Sequence, residues 1–377
     1  MQKKVLIVDD SALMRRVLSD IINTDTRFHV TRVATHGLDA LKLLVEDKEE
    51  FDAIILDINM PKMNGIEFLE ELESRKIKAT VVIVSTVAIE GAKETIRALE
   101  LGAFDFVTKP ESFYEVKSDG FKNKLIECLS VATKLDQVST KNEAKESREP
   151  LQQVSFEAIE LKLRSLSRQK SDDRMKRPNQ SAKKVIALAC STGGPKALQQ
   201  VIPYLPKELD CSVLIVQHMP EGFTYSLAHR LNEMSKITVK EAEHGEILKK
   251  GVAYIAQGGR QMRVITERGV NKLSVTLEPP RNGLKPCADI MYESLLASDY
   301  EEILCIVLTG MGGDGTNGIR QLSETKNIYV IAQDEETSTV YGMPKVIQES
   351  GLVNEVLPLQ QIADAITNNL GVPKDGC

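Results

Sequence analysis

The sequence predicts an α/β protein of two doubly wound parallel-sheet domains, with a β-hairpin appended to the second and a polar linker between them. Three observations carry this. Short β-branched runs alternate with amphipathic segments from Lys3 to about residue 135, and the alternation resumes at Lys184, the pattern of a parallel sheet covered by helices. Between them, residues 136–182 are rich in Lys, Arg, Glu, Ser and Gln with few aromatics, which marks a solvated connector. The length of 377 residues suits two or three domains at roughly 100 to 200 residues each. The expected organisation is a first domain at 1–135, a linker at 136–182 and a second domain at 183–377.

In the first domain, Val5–Val8, Val30–Ala34, Ala53–Leu56, Val81–Val84 and Ala103–Val107 read as five strands separated by four amphipathic segments. Ligands of such a fold bind at the carboxyl ends of the strands, and the charged residues fall there. Asp9 and Asp10 end the first strand, Asp57 the third, Ser85 and Thr86 the fourth, and Lys109 follows the fifth. Three carboxylates at one edge repel one another unless a hard cation joins them, and Mg²⁺ favours one or two carboxylates with waters and phosphate oxygens. A phosphoryl-transfer site is the expectation. A single Asp at a strand end is as readily a turn former or helix cap; the repetition in successive units is what makes the pattern specific.

Over residues 1 to about 130 these positions resemble the receiver domain of response regulators. The resemblance implies a flavodoxin-like domain of five strands and five helices, with strand order 2-1-3-4-5. It implies that Asp57 is the phosphoacceptor, that Asp10 and Asp57 bind Mg²⁺ with Asp9 assisting, that Ser85 meets the phosphoryl group and Lys109 pairs with it, and that Phe106 is the aromatic residue that repacks on activation.

In the linker, Phe156, Ile159, Leu163 and Leu166 fall at spacings of a short amphipathic helix. A transient helix in a flexible connector fits equally well.

The second domain is organised around V-I-A-L-A-C-S-T-G-G-P at 185–195. An apolar run of strand length ends in small and hydroxylated residues before a helical segment, so Ser191 sits on a strand-to-helix turn, where unpaired N–H groups can face a developing oxyanion. Val213–Val216 is a second strand, ending at His218, and Ile303–Leu308 a third, followed by T-G-M-G-G-D-G at 309–315. Ser191, His218 and Asp314 thus each lie just past a strand's carboxyl end, and in a parallel sheet those ends share one edge. The residue types suit a nucleophile, a general base and an orienting carboxylate. Among the five histidines, His29 and His36 lie in the first domain, and His229 and His244 lie within or beyond a predicted helix. Only His218 occupies a strand end.

Other readings of these motifs are weaker. Cys190 is intrinsically more nucleophilic than Ser191 but occupies the last strand position, where burial is expected. The turn at 191–195 lacks the Lys-Ser/Thr ending of a phosphate-binding loop. Gly312-Gly313-Asp314-Gly315-Thr316 lacks the acidic residue and phenylalanine of the diguanylate cyclase signature. Further on, Gly251–Gln257, Gln261–Thr266 and Leu273–Leu277 alternate like antiparallel strands with turns at Gly258-Gly259 and Gly269. Helices are expected at Ala288–Ala297 and Pro344–Glu349, a core strand at Ile328–Ala332 and an edge strand at Val353–Leu357.

S-T-G-G-P at 191–195, Q-H-M-P at 217–220, T-G-M-G-G-D-G at 309–315 and Y-G-M-P at 341–344 together resemble the Rossmann-like catalytic domain of chemotaxis-specific protein-glutamate methylesterases, over about residues 183–370. The resemblance implies phosphorylation-activated hydrolysis of glutamate γ-methyl esters on methyl-accepting chemoreceptors, with release of methanol and deamidation of particular receptor glutamines. It implies that Thr192 and the Met311 N–H hold the oxyanion, that no cofactor serves the catalytic site, and that a histidine kinase of the chemotaxis system is the phosphodonor. Peripheral association with receptor arrays is implied as well. Ala189 stands where that family usually carries Gly, and an ordinary strand conformation is expected there. Two other functions share the receiver: a phosphorylation-gated adapter without activity, and a hydrolase acting chiefly as a glutamine deamidase.

The bulk composition restricts the alternatives. At 27% charged, 42% hydrophobic and net charge −6 the chain is ordinary for a globular protein and nucleic acid is not expected as its partner. No apolar run reaches the ~18 residues of a membrane span. The N-terminus M-Q-K-K-V-L-I-V-D-D turns acidic too early for a signal peptide, so a cytoplasmic location is expected. Six cysteines, at 128, 190, 211, 287, 305 and 377, form no C-x-x-C pair and read as reduced and structural. Cys377 lacks a prenylation pattern, and a frayed end is expected.

Overall fold

A computed structural model describes residues 2–86, 88–110, 119–135 and 183–371. The amphipathic stretch at 156–166 and Cys377 lie outside the described residues.

The first sheet contains β1 (Lys3–Val8), β2 (Phe28–Ala34), β3 (Ala53–Asp57), β4 (Val81–Ser85) and β5 (Asp105–Thr108), all parallel, in the order β2-β1-β3-β4-β5. Strands β3 and β4 are buried along their whole length, as expected of central parallel strands covered on both faces. Helices α1 (Ala12–Asn23), α2 (Gly37–Val45), α3 (Gly65–Ser74), α4 (Ile89–Glu100) and α5 (Asp119–Ala132) provide that cover. Their starts are locally encoded. The Ser11 hydroxyl accepts from the Met14 N–H at 3.3 Å, and Asn64 with Glu67 forms a reciprocal capping box at 2.9 and 2.8 Å.

The second sheet has seven parallel strands: β6 (Lys184–Cys190), β7 (Ser212–Gln217), β8 (Thr238–Glu241), β9 (Val252–Ile255), β12 (Glu302–Val307), β13 (Asn327–Gln333) and β14 (Glu355–Leu357), in the order β14-β13-β12-β6-β7-β9-β8. Successive strands leave β6 toward β7 on one side and return at β12 on the other. The order reverses at β6, so a crevice opens beyond its carboxyl end, where open α/β sheets bind ligands. Around the sheet lie α6 (Gly194–Val201), α7 (Phe223–Met234), α8 (Ala288–Ser294), α9 (Thr316–Thr325), α10 (Met343–Glu349) and α11 (Leu359–Leu370).

The fold class is the one the sequence predicts, and the differences are local. The run at 251–257 is not part of an antiparallel unit: β9 pairs in parallel with β7 and β8. Its Ala253, Tyr254 and Ile255 are all buried, so they read as a central strand rather than as an alternating one. The edge strand β8 was not anticipated, because Thr-Val-Lys-Glu carries only one apolar residue. The hairpin consists of β10 (Gln261–Glu267) and β11 (Val270–Thr276) alone, antiparallel about a tight turn at Arg268-Gly269. Strand β13 is a core strand and β14 the edge, as expected. Ala189 lies within β6 in regular register with Val216 and Val307. Among the described residues no helix is long and apolar enough to cross a membrane.

Candidate active site and an acidic cluster

The register between β6 and β7 pairs Cys190 with Gln217, so the next residues, Ser191 and His218, emerge side by side at one sheet edge. The loop after β12 closes over them: the Ser191 N–H donates to the Thr309 carbonyl at 3.0 Å. Two glycines make this approach feasible. A Cβ on Gly194 would lie 1.9 Å from Gln217 Oε1, and one on Gly310 would lie 2.8 Å from Ser191 Cβ. Gln217 is fully buried and all its polar atoms are used. Its amide donates to the Ser191 and His218 carbonyls at 3.0 and 3.2 Å, and its oxygen accepts the Cys190 thiol at 3.0 Å. Burial pushes the Cys190 thiol far above its ordinary range, which leaves it an inert core residue beside the candidate nucleophile.

His218 Nε2 meets Asp314 Oδ2 at 2.8 Å, leaving Nδ1 as the nitrogen on the other side of the ring. Asp314 is buried, which by itself raises a carboxyl pKa. The His218 contact and the N–H groups of Ala288 and Asp289, at 2.6 and 3.0 Å, outweigh this and hold Asp314 down at about 2. Those amides are the first of α8, whose partial positive end favours an anion.

Ser191, Thr192, His218 and Met311 line one cavity of about 480 Å³, and its opposite wall comes from the first domain: Asp105, Phe106, Lys124 and Glu127. The Thr192 hydroxyl donates to Asp105 Oδ2 at 2.5 Å. Phe106 stacks on Phe223 of α7, with ring centroids 4.6 Å apart. Glu100 at the end of α4 accepts from Arg230 Nε at 2.6 Å and from Gln199 Nε2 at 3.0 Å. The first sheet's α4–β5 face therefore covers the mouth of the second sheet's crevice.

In the first domain, oxygens of Asp9, Asp10 and Asp57 lie within 4.8 Å of one another. Lys109 Nζ bridges Asp57 at 2.8 Å and Asp9 at 3.1 Å. Burial, with the nearby Asp9 charge, pushes the Asp57 carboxyl up despite Lys109. Burial opposes the charge on Lys109, yet Asp57 and Asp9 hold its pKa above the usual lysine value. One lysine cannot balance three carboxylates, and an all-oxygen set with excess negative charge fits a hard divalent cation. Ser85 is close by, but its hydroxyl points to the carbonyls of Gly91 and Thr86 at 3.3 and 3.4 Å.

The predicted residues thus gather into two sites. Sequence reasoning gave no role to the residues behind them: Gln217, seen only as part of Q-H-M-P, Asp105 and Asp289. Gln217 had a signal, as a polar residue ending an otherwise apolar strand. Asp105 had none, since its partner lies 87 positions away.

The two halves match two family descriptions, a response regulator receiver domain at residues 5–118 and a CheB methylesterase at 186–366. A protein of Halalkalibacterium halodurans named protein-glutamate methylesterase/protein-glutamine glutaminase is 41% identical, over 96% of this chain and 97% of the relative. One of Geobacillus kaustophilus with the same name is 39% identical, over 98% and 99%. The crystal structure of the Thermotoga maritima CheB methylesterase catalytic domain is 37% identical, covers 50% of this chain and 98% of that one, and has a TM-score of 0.48. The fold and the two sites define a receiver-controlled hydrolase. The chain belongs to the protein-glutamate methylesterase/protein-glutamine glutaminase family, whose members are phosphorylation-regulated enzymes of chemotaxis.

Proposed function

We propose that Ser191, His218 and Asp314 hydrolyse glutamate γ-methyl esters of chemoreceptors through an acyl-enzyme, and that the receiver restrains them until Asp57 is phosphorylated. The observation that carries this is the His218–Asp314 pair at 2.8 Å beside Ser191, in a cavity whose far wall is the receiver. Ser191 Oγ attacks the ester carbonyl while His218 takes its proton. The Met311 N–H and Thr192 face the oxyanion, and His218 returns the proton to the departing methoxide, releasing methanol. Water then attacks the acyl-enzyme by the reverse transfers. An amide substrate passes through the same acyl intermediate with ammonia as leaving group, so glutamine deamidation needs no further residue.

For the switch, Asp9, Asp10 and Asp57 would hold Mg²⁺, which when bound neutralises charge on the incoming phosphoryl group. Asp57 is the acceptor, Lys109 pairs with the phosphoryl oxygens, and Ser85 turns from Gly91 toward them. Phe106 follows, breaking its stack on Phe223 and drawing β5 away from Thr192. A chemotaxis histidine kinase would be the phosphodonor, and the enzyme would work in the cytoplasm as a peripheral component of receptor arrays. The test is methanol release from methylated chemoreceptor membranes, with and without a small phosphodonor and Mg²⁺. Release should rise with the phosphodonor and vanish in Ser191→Ala. A folded enzyme releasing no methanol or ammonia under either condition would favour the adapter reading.

A further inference from the structure

Asp314 is held by more than His218. Its Oδ1 also accepts from the Asp289 N–H at 3.0 Å, the Gly315 N–H at 3.0 Å and the Cys287 thiol at 3.1 Å, while the Ala288 N–H reaches Oδ2. Asp289, almost wholly buried, makes the mirror-image contact. Its Oδ1 accepts from the Gly315 and Gly318 N–H groups at 3.0 and 2.8 Å, the N-terminal amides of α9. The two carboxylates are therefore crossed: Asp314, just before α9, caps α8, and Asp289, on α8, caps α9.

This crossing has a consequence for hydrolysis. The backbone on either side of Asp314 sits in a glycine-rich loop, 310–315, with few side chains of its own to fix it. Asp289 grips that loop one residue beyond Asp314, and Asp314 grips the helix that carries Asp289. Neither carboxylate can move without loosening the other, and a shift of Asp314 changes the distance to His218 Nε2. Asp289 is not among the residues that line the cavity around Ser191.

We propose that Asp289 is a positioning residue for hydrolysis, fixing Asp314 against His218 through the Gly315 and Gly318 amides. The proposal rests on the triad reading above. Full-length, phosphodonor-activated enzyme is assayed for methanol release from methylated receptor membranes, comparing wild type, Asp289→Ala, Asp289→Asn and Ser191→Ala. A displacement of about 1 Å can cost on the order of 100-fold, so Asp289→Ala should lower kcat about 10- to 100-fold with KM unchanged. Asp289→Asn keeps an oxygen for the two amides and should recover activity to within about threefold.

A folded Asp289→Ala with wild-type kcat overturns the proposal, as does an Asn variant no better than Ala. Where Asp289→Ala does not fold, Asp289→Ser, whose shorter side chain cannot span both amides, takes its place, and a folded Ser variant with wild-type kcat equally overturns the proposal. Activity surviving in Ser191→Ala would instead remove the triad reading.

Discussion

Two carboxylates at the carboxyl ends of parallel strands meet opposite fates in this molecule. Asp57 in the first sheet is pushed up by burial and by Asp9, with Lys109 only partly offsetting. Asp314 in the second is buried too, yet is held at about 2 by His218 and by backbone amides. The difference is in the donors. Asp57 has the Ile58 N–H at 2.8 Å and a shared lysine; Asp314 has an imidazole, three N–H groups and a thiol. A carboxylate left short of donors can take on a metal and a phosphoryl group. One saturated with donors stays ionised and orients a base.

The sharpest way to break this comparison is Asp314→Asn. The amide cannot stabilise an imidazolium as a carboxylate does, and kcat should fall about 10⁴-fold with receptor binding intact. A loss under tenfold would show that the saturated carboxylate is structural.

Mg²⁺ probes the other side. At about 100 times its dissociation constant, a cation bound only to the folded receiver adds roughly 2.7 kcal/mol, so calorimetry should show a raised unfolding midpoint. Asp10→Ala, at an exposed position, should abolish the rise. An undiminished rise in that variant would place the cation elsewhere.

Acid unfolding reads the donor-rich carboxylate directly. Asp314's folded pKa lies below its unfolded value near 3.8, so its contribution is present above that value and is lost as pH falls through about 2. The size is roughly 2 kcal/mol at 1.4 kcal/mol per pKa unit. Denaturant titrations at pH 5 and pH 2 should differ by about this much less in Asp314→Asn than in the wild type.

The smallest effect belongs to the contact between the sheets. Removing the part-exposed Glu100–Arg230 pair, worth ~1 kcal/mol, by Glu100→Ala should raise the unphosphorylated rate about fivefold and leave the phosphorylated rate unchanged. An unaltered basal rate would mean that this pair does not hold the receiver in place.

Local physics explains which features were legible without coordinates. Strand-end positions can be read from where apolar runs stop, and this placed Asp9, Asp10, Asp57, Ser191, His218 and Asp314. Parallel sheets then bring such ends to one edge whatever the loops do. The 251–257 run was misassigned because an apolar strand next to a Gly-Gly turn looks the same before a hairpin as inside a parallel sheet. Which strand it joins depends on β7 and β8, not on its own residues. The resemblance implied that the Ser85 hydroxyl meets a phosphoryl group; in the structure it points to the Gly91 and Thr86 carbonyls, a rotamer that is a choice among several acceptors.

By itself the chain's residue order determined two α/β units, their strand ends and the chemistry at each, because hydrophobic periodicity and turn composition are local. The tertiary structure alone decided that the receiver lies across the cavity, with Asp105 on Thr192 and Phe106 on Phe223, and that Asp289 and Asp314 cap each other's helices. Those contacts join residues 25 to 117 positions apart. No sequence pattern encodes such pairs, because each depends on how elements distant along the chain pack against one another.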